Sequence, residues 1–276
     1  MTTTVGIVGA GTMGSGIARV AAEAGFEVIL YDLSAGALTR AMTMIADGLR
    51  KGPGEAAETF SHIRPRRDLA DIGAADIVIE AAFEDMAVKR EVFRALDRVV
   101  APGAVMATNT SSLSVTAIGA LTRRPESVVG MHFFNPAHRM RLVEIVRGSR
   151  TSEATVERVR TLAGAMGKTP VLCTDTPGFI VNRVARPFYG EALRLLGEGA
   201  ASVEEIDRIV RLSGGFRMGP FELMDLVGID VNFAVTQSVY EQFFHEPRFR
   251  PHPIQRRMVE AGTLGRKTGR GFYRHG

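Results

Sequence analysis

The sequence predicts an α/β fold, in which a mostly parallel sheet domain is followed by an all-helical C-terminal domain. Over the first 176 residues, short apolar runs alternate with helix-like stretches, an order typical of a parallel sheet with helices on both faces. After residue 176, alternation with a period of two is almost absent and one helix-like stretch follows another. We therefore expect one domain at residues 1–176 and a second at residues 177–276.

The elements of the first domain follow in a regular order. Residues 5–8 and 26–31 are apolar runs of strand length, and the alanine-rich stretch 13–24 between them suits a tightly packed helix. This repetition of strand and helix favours a parallel sheet. Further along the chain, a strand is predicted at 76–81, an amphipathic helix at 86–100, and strands at 104–107, 128–133 and 142–146.

The second domain is predicted to consist of helices. The turn-forming segment 174–178 precedes it. Ser202 and Glu205 have the spacing of a capping box, in which the hydroxyl covers a free N–H group and the carboxylate reaches back. Helices are expected at 179–196, 202–212, 220–226 and 232–244.

Composition argues against several classes of function. The 276 residues contain no apolar run near the ~18 residues of a membrane crossing and begin without the features of a cleaved leader, so no membrane contact is expected. Cys173 is the only cysteine, which excludes an intrachain disulfide and fits a reducing, cytoplasmic location. The formal net charge is +4, but the arginines are scattered, which favours a phosphate-bearing cofactor or substrate over nucleic acid.

A glycine-rich segment follows the first predicted strand. Its G-x-G-x-x-G pattern is weak alone, because a simple tight turn can show the same spacing. The context is more specific, since the pattern links a strand to a helix and Asp32 ends the next strand about 20 residues further on. This combination is the fingerprint of a Rossmann-type domain, whose helix N-terminus faces a pyrophosphate. The predicted cofactor loop is Gly9-Ala10-Gly11-Thr12-Met13-Gly14.

Asp32 determines which dinucleotide is expected. A carboxylate at this position accepts hydrogen bonds from both hydroxyls of the adenosine ribose and repels the 2′-phosphate of NADP. Leu33, Ser34 and Ala35 follow it, so no arginine comes directly after it to neutralise such a phosphate. The predicted cofactor is therefore NAD.

His132 and Glu144 are the predicted catalytic pair. His132 lies near the carboxyl end of an apolar run, at the sheet edge where such folds bind ligands. If the strands at 128–133 and 142–146 pair as a hairpin, residues 132 and 144 face each other. A buried carboxylate beside a histidine fixes its tautomer and raises its basicity, as a base for an alcohol proton requires. The alternative is a buried histidine held by a structural carboxylate.

Two polar sites complete the predicted constellation. Ser111 follows the strand at 104–107, and Asn182 lies early in the first helix after the domain boundary. Alternatively, Ser111 caps a helix and Asn182 is a polar residue at a domain interface. A Ser-His-Glu hydrolase is disfavoured because no strand–elbow–helix of G-x-S-x-G type surrounds Ser111. No metal site is predicted.

Together these segments resemble the short-chain L-3-hydroxyacyl-CoA dehydrogenase family, which includes 3-hydroxybutyryl-CoA dehydrogenases. The resemblance covers nearly the whole chain in order, and the motifs are highly specific in combination. Besides the cofactor loop, they are residues 108–113 (Thr-Asn-Thr-Ser-Ser-Leu), 132–136 (His-Phe-Phe-Asn-Pro), 142–144 (Leu-Val-Glu), 175–183, 218–223 and 265–273.

The resemblance implies a reaction and residue roles. The chain is expected to oxidise (S)-3-hydroxyacyl-CoA to 3-oxoacyl-CoA with NAD, as in fatty acid metabolism. His132 would be the base oriented by Glu144, and Ser111 and Asn182 would hold substrate oxygens. Further positions that the resemblance assigns to NAD are Glu84, Lys89 and Asn109. Without the resemblance, the sequence around Glu84 and Lys89 would indicate only charged side chains on the solvent face of a helix.

The sequence departs from the family at two places. The helical arm that carries coenzyme A contacts in relatives is shorter here, near residues 50–54, so only Lys51 is assigned to coenzyme A. His138 and Arg139 occupy a turn where relatives usually have small or apolar residues. Arg139 could hold a second carboxylate at the end of the acyl chain, or it could be a solvated surface arginine. Residues 230–236 with Arg248 and Phe249 resemble the members that oxidise 3-hydroxyadipyl-CoA.

Two other functions remain open from the sequence: a dehydrogenase of a free hydroxy or sugar acid, and a crystallin-like NAD-binding protein without catalysis. The first usually has a lysine as its base, and none stands in the place of His132. The helical domain is small and rich in apolar residues, notably Phe221 and Met224, so a homodimer through this domain is expected.

Overall fold

The structure is a computed structural model that describes residues 3–50 and 56–276. It divides into two compact units, Met1–Phe179 and Ile180–Gly276. In the part of the chain that the structure describes, no helix has both the length and the apolar character needed to cross a membrane.

The first unit is built on a single eight-stranded sheet. Its strand order is β3-β2-β1-β4-β5-β6-β7-β8, with strands β1 Thr4–Val8, β2 Glu27–Tyr31, β3 Ile63–Arg66, β4 Ile77–Glu80, β5 Val105–Thr108, β6 Val128–Phe133, β7 Leu142–Arg147 and β8 Thr169–Thr174. Neighbouring strands are parallel except for β6 and β7, which are antiparallel. The predicted mostly parallel sheet is confirmed.

Helices cover both faces of this sheet. They are α1 Thr12–Glu23, α2 Ala35–Arg50, α3 Ala56–Ser61, α4 Met86–Val99, α5 Val115–Gly119 and α6 Glu153–Ala165. Because side chains alternate along a strand, Val5 and Ile7 pack on one face with Ile17 of α1, and Val8 packs on the other with Phe93 of α4. The strands are therefore apolar on both sides, which is why they are recognisable in the sequence.

The second unit contains five α-helices in the described chain: α7 Val181–Gly197, α8 Val203–Gly214, α9 Pro220–Val227, α10 Ile229–Gln242 and α11 Pro253–Glu260. The predicted capping box is confirmed, since Ser202 accepts from the Glu205 N–H and Glu205 reaches back to the Ser202 N–H. Phe221 and Met224 are fully buried in this unit's own core. These two residues therefore stabilise the unit itself, whereas Leu226, Val227 and Phe244 of the same apolar span are exposed. The homodimer through this unit stays a prediction.

The parallel strands bring their carboxyl ends to one edge of the sheet. Gly9 follows β1, Ala81 follows β4, and Asn109 follows β5. The β6 strand runs beyond the end of β5, so His132 and Phe133 lie beside the segment that follows Thr108. This edge is where doubly wound sheets bind ligands, and the predicted site residues of the first unit lie there.

Candidate active site

The glycine loop has the backbone that a dinucleotide site needs. Gly9 has a φ of +106°, which is the left-handed region that favours glycine. A Cβ atom at Gly14 would lie 1.8 Å from the Gly9 carbonyl oxygen, so the close approach of α1 to this turn requires glycine. At Gly11 a Cβ atom would meet nothing within 4 Å, which leaves the space above the loop open to a ligand. Within residues 3–50, no side chain caps the start of α1.

Asp32 is held at the end of β2 beside this loop. Its Oδ2 atom accepts a hydrogen bond from the Ala10 N–H at 2.8 Å, and its Oδ1 atom accepts one from the Ser34 N–H at 2.8 Å. The neighbouring strand β3 is followed by Arg67, whose Nε atom donates to the Leu33 carbonyl oxygen at 3.4 Å. The sequence shows no arginine directly after Asp32, but the fold brings one from β3 to its neighbour Leu33.

The predicted pairing of His132 and Glu144 is present. They are directly opposite in the antiparallel pair β6–β7, and His132 Nδ1 lies 2.7 Å from Glu144 Oε2. Both are buried, with relative exposures of 5% and 1%. A carboxylate can only accept, so Nδ1 carries the hydrogen and Nε2 is the nitrogen free to take a proton. The rings of Phe134 and Phe179 pack against the imidazole, with centroids at 4.5 and 5.7 Å.

Asn109 connects the ends of three strands. Its N–H group donates to the Glu80 carbonyl oxygen at 2.8 Å, and its side-chain oxygen accepts from the Phe133 N–H at 2.9 Å. It therefore fixes the segment after β5 against the end of β6, next to His132. Ser111 lies two residues further in the same segment. The alternative reading of Ser111 as a helix cap is wrong, because Ser114 caps α5.

Glu84 organises this serine-containing segment. Its Oε1 atom accepts hydrogen bonds from the Ser111 and Ser112 N–H groups at 2.7 and 3.0 Å, and from the Thr110 hydroxyl at 2.7 Å. One carboxylate oxygen thus holds three consecutive residues. Glu84 precedes α4, so it is not on that helix, although it is exposed as the interpretation as a solvated charge expected.

Lys89 forms a buried ion pair that the sequence does not indicate. The side chain is fully buried, and its Nζ atom lies 2.7 Å from Glu80 Oε1 and 3.6 Å from Glu84 Oε2. Glu80 is also fully buried and accepts from the Thr108 hydroxyl at 2.8 Å. The interpretation of Lys89 as a solvated charge is wrong. Glu80 could have been recognised as a buried functional residue from the sequence, because it is an acidic residue at the end of an otherwise apolar strand.

The remaining predicted residues lie elsewhere. Asn182 is the second residue of α7 in the helical unit, and its carbonyl oxygen accepts from Arg186 Nε at 3.1 Å. Lys51 lies outside the described residues. Burial, with Glu144 and Asp175 nearby, raises the pKa of the Cys173 thiol to about 12, so this thiol stays protonated at neutral pH and is a poor nucleophile.

A cavity of about 920 Å³ lies in the first unit, between α1, α2, α3 and the turn that follows β6. The ionisable residues of its lining are Arg19, Glu23, His138 and Arg139. Burial and the positive charges of Arg19 and Arg139 lower the pKa of His138. Arg19 is paired with Glu23, which also lines the cavity, so Arg139 supplies the excess positive charge that suits an anionic ligand.

Comparison with known proteins identifies the family. Residues 4–176 match a family model described as the NAD-binding domain of 3-hydroxyacyl-CoA dehydrogenase, and residues 178–275 match the C-terminal domain of the same enzyme. The chain belongs to the 3-hydroxyacyl-CoA dehydrogenase family. It is thus an oxidoreductase whose first domain binds NAD.

Several members of this family are similar over the whole chain. The 3-hydroxyadipyl-CoA dehydrogenase of Escherichia coli K12 is 50% identical over 98% of this chain, which spans 58% of that relative's length. The 3-hydroxybutyryl-CoA dehydrogenase of Clostridioides difficile is 40% identical, with 97% of each chain covered. The crystal structure of (S)-3-hydroxybutyryl-CoA dehydrogenase from Ralstonia eutropha superimposes with a TM-score of 0.95 at 41% identity, covering all of both chains.

Proposed function

We propose that this chain catalyses the reversible oxidation of (S)-3-hydroxyacyl-CoA to 3-oxoacyl-CoA, with NAD as the hydride acceptor. The observation that carries the proposal is the buried His132–Glu144 pair, at the sheet edge that also holds the glycine loop. The names of the relatives in E. coli, C. difficile and R. eutropha support the substrate class.

His132 acts as the general base. Its Nε2 atom takes the proton of the 3-hydroxyl group while the C–O bond becomes a double bond. NAD, when bound, accepts the hydride that leaves carbon 3 with its electron pair. Glu144 keeps Nδ1 protonated and stabilises the imidazolium that results, because the carboxylate is 2.7 Å away and almost unexposed to water. In the reverse direction, the same imidazolium returns the proton.

Ser111 and Asn182 hold the substrate oxygens, and Asn109 holds the nicotinamide end of the cofactor. The fixed position of the segment after β5 supports the roles of Ser111 and Asn109, since Asn109 and Glu84 tie it to β6 and to the start of α4. The buried Lys89 contacts the carboxylates of both Glu80 and Glu84. We therefore assign Lys89 a positioning role, in which it holds Glu84 and through it the Ser111 backbone.

The positively charged cavity binds the phosphate-bearing part of coenzyme A. Arg19 and Arg139 line it together with the C-terminal half of α2, which ends just before Lys51. We therefore assign Arg139 to the coenzyme A end of the substrate, in place of the acyl tail. Lys51 remains part of the proposal on the basis of its position in the sequence.

A homodimer formed through the helical unit, in the cytoplasm, completes the proposal. The side chains of Ile209 and Leu212 on α8 are 59% and 74% exposed, and Phe216 directly after α8 is 53% exposed. These three large apolar residues lie close together in the sequence and are exposed. Exposed apolar patches are commonly interaction sites, which favours their burial against a second copy of the chain. The single cysteine fits a reducing compartment.

The direct test is to measure NADH consumption with acetoacetyl-CoA and with acetoacetate. The proposal expects rapid oxidation of NADH with the thioester and little with the free acid. Turnover of acetoacetate as efficient as that of acetoacetyl-CoA would indicate a dehydrogenase of free hydroxy acids. NADH binding without turnover of either compound would indicate a crystallin-like protein and overturn the proposed activity.

A further inference from the structure

Arg186 of α7 is a buried cation whose partners are all neutral. The residue is 5% exposed. Its Nη1 atom donates to the Asn232 carbonyl oxygen at 2.8 Å and to the Thr236 hydroxyl at 3.0 Å, and its guanidinium lies 5.1 Å from the centre of the Tyr189 ring. Among residues 3–50 and 56–276, no carboxylate forms an ion pair with it.

Such an arrangement is unusual for a purely structural arginine. Burial lowers the pKa of Arg186 to about 10, so the guanidinium is still charged at neutral pH. A buried charge without a counterion destabilises a fold, and buried charges are ordinarily paired. The position of Arg186 therefore calls for an anion that arrives from outside the chain.

A second unmet donor lies at the residue that Arg186 contacts. The Asn232 side-chain oxygen accepts from Gln255 Nε2 at 2.7 Å, but its amide nitrogen is buried and has no hydrogen-bond partner in the described structure. Arg186 Nη2 makes no hydrogen bond there either, whereas Nε and Nη1 do; unlike the Asn232 amide nitrogen, Nη2 is not completely buried. Two donors without acceptors, one of them charged, match the two oxygens of a carboxylate.

The place of Arg186 on its helix connects it to the proposed reaction. It follows Asn182 by four residues, so the two share one face of α7 and lie roughly 6 Å apart along the helix axis. Arg186 Nε also donates to the Asn182 carbonyl oxygen at 3.1 Å. An acyl chain whose reacting oxygen is held at Asn182 can bring a group a few carbons further along to Arg186.

We propose that Arg186, with the amide of Asn232, binds the terminal carboxylate of a dicarboxylic 3-hydroxyacyl-CoA, in which this carboxylate lies three carbons beyond the reacting carbon. This inference rests on the proposed function, because it uses Asn182 as the contact to the reacting oxygen. It makes Arg186 a specificity-determining residue, and it places the dicarboxylate selectivity in the helical unit instead of at Arg139.

The test compares kcat/KM for 3-oxoadipyl-CoA and acetoacetyl-CoA, with NADH, in the wild type and in Arg186→Met. The methionine variant should lower the ratio of the two efficiencies by roughly 10-fold or more, which is the worth of a charged hydrogen bond. Arg194→Met is the matched control on the same helix, because Arg194 is half-exposed and paired with Glu191. The ratio should stay at the wild-type value in this control.

Removing the terminal charge of the substrate tests directly whether Arg186 binds it. The monomethyl ester of 3-oxoadipyl-CoA has no terminal charge, so the wild type should use it less efficiently than the acid, while Arg186→Met should not distinguish acid from ester. Should Arg186→Met fail to fold, Arg186→Lys can replace it, because lysine keeps the positive charge but loses the forked geometry of the guanidinium. Its ratio of kcat/KM for 3-oxoadipyl-CoA to kcat/KM for acetoacetyl-CoA should be lower than that of the wild type. It should be higher than the ratio that the wild type gives when the methyl ester replaces the acid.

Equal losses on both thioesters in Arg186→Met, no loss on either, or an Arg186→Lys ratio identical to that of the wild type would overturn the inference. So would a selective loss with 3-oxoadipyl-CoA in Arg139→Ala alone. These outcomes leave the proposed function intact. Absence of acetoacetyl-CoA turnover in the wild type would instead remove the proposed function itself.

Discussion

His132 Nδ1 and Glu144 Oε2 are 2.7 Å apart, on residues that face each other across β6 and β7. The antiparallel register fixes this relationship, because one strand step would turn either side chain to the opposite face of the sheet. Glu144 therefore determines which nitrogen of the imidazole is available to a substrate. The account of the reaction depends on this pair.

Glu144→Gln should keep the strand pairing and lose the negative charge beside the imidazole. We expect turnover to fall by roughly 10²-fold or more, because the imidazolium formed during oxidation loses its stabilising partner. Steady-state kinetics with acetoacetyl-CoA measure this effect. Circular dichroism and the Kd for NADH should match the wild type. Unchanged turnover would assign Glu144 a structural role only.

We expect Asp32 to control the choice of cofactor. Asp32→Ala should weaken NADH binding by about 10-fold or more, the usual worth of hydrogen bonds to a charged group. Binding of NADPH should weaken less or improve, because the repulsion of the 2′-phosphate is removed and Arg67 reaches the adjacent Leu33. Fluorescence titrations with both nucleotides test this. A wild-type enzyme that used NADPH as efficiently as NADH would contradict the assignment.

Arg139 lines the positively charged cavity, so its loss should affect every coenzyme A thioester alike. In Arg139→Ala, KM should rise by about 10-fold for both acetoacetyl-CoA and 3-oxoadipyl-CoA, while the Kd for NADH stays unchanged. Arg160→Ala is the control, since Arg160 is an exposed partner of Glu157 on α6. A loss confined to 3-oxoadipyl-CoA would show that Arg139 contacts the acyl tail.

The proposed homodimer would bury the exposed apolar residues Ile209, Leu212 and Phe216. Light scattering at micromolar concentration should give twice the 29.8 kDa of one chain. Leu212→Glu should shift the mass toward that of a monomer, because a carboxylate in an apolar interface is strongly disfavoured. Leu33→Glu changes an equally exposed leucine in the first unit and should leave the dimer intact. A wild-type mass of a single chain would reject the dimer.

The sequence predicts the buried strands well and misses the edge strands, for a physical reason. Interior strands such as β4 are apolar on both faces, so they stand out as continuous apolar runs. In β3 only Ile63 is buried, and the side chains of β8 are exposed or half-buried along its whole length. β3 has no apolar run, and β8 has only the three apolar residues 171–173 between polar ones and a proline, so their pairing in the sheet is what reveals them.

The same distinction applies to the site. The pairing of His132 with Glu144 could be predicted from spacing because β6 and β7 are consecutive strands that pair in antiparallel fashion across residues 134–141. Lys89 and Arg186 could not be found in this way, since a basic residue in an amphipathic helix ordinarily faces solvent. Their burial follows from the neighbours that the fold brings to them: Glu80 at the end of β4 and Asn232 on α10.

The central claim is that His132 transfers the proton of the 3-hydroxyl group, and His132→Gln tests it most directly. Glutamine retains a hydrogen-bonding side chain but cannot accept a proton at neutral pH, so we expect kcat with acetoacetyl-CoA to fall by roughly 10²–10⁴-fold.

The measurement is steady-state turnover of His132→Gln at saturating substrate, together with fluorescence titration of NADH. The account predicts the large loss of kcat with a Kd for NADH equal to that of the wild type, since His132 lies outside the glycine loop at which we expect the cofactor to bind. Near-normal turnover in this variant would contradict the mechanism.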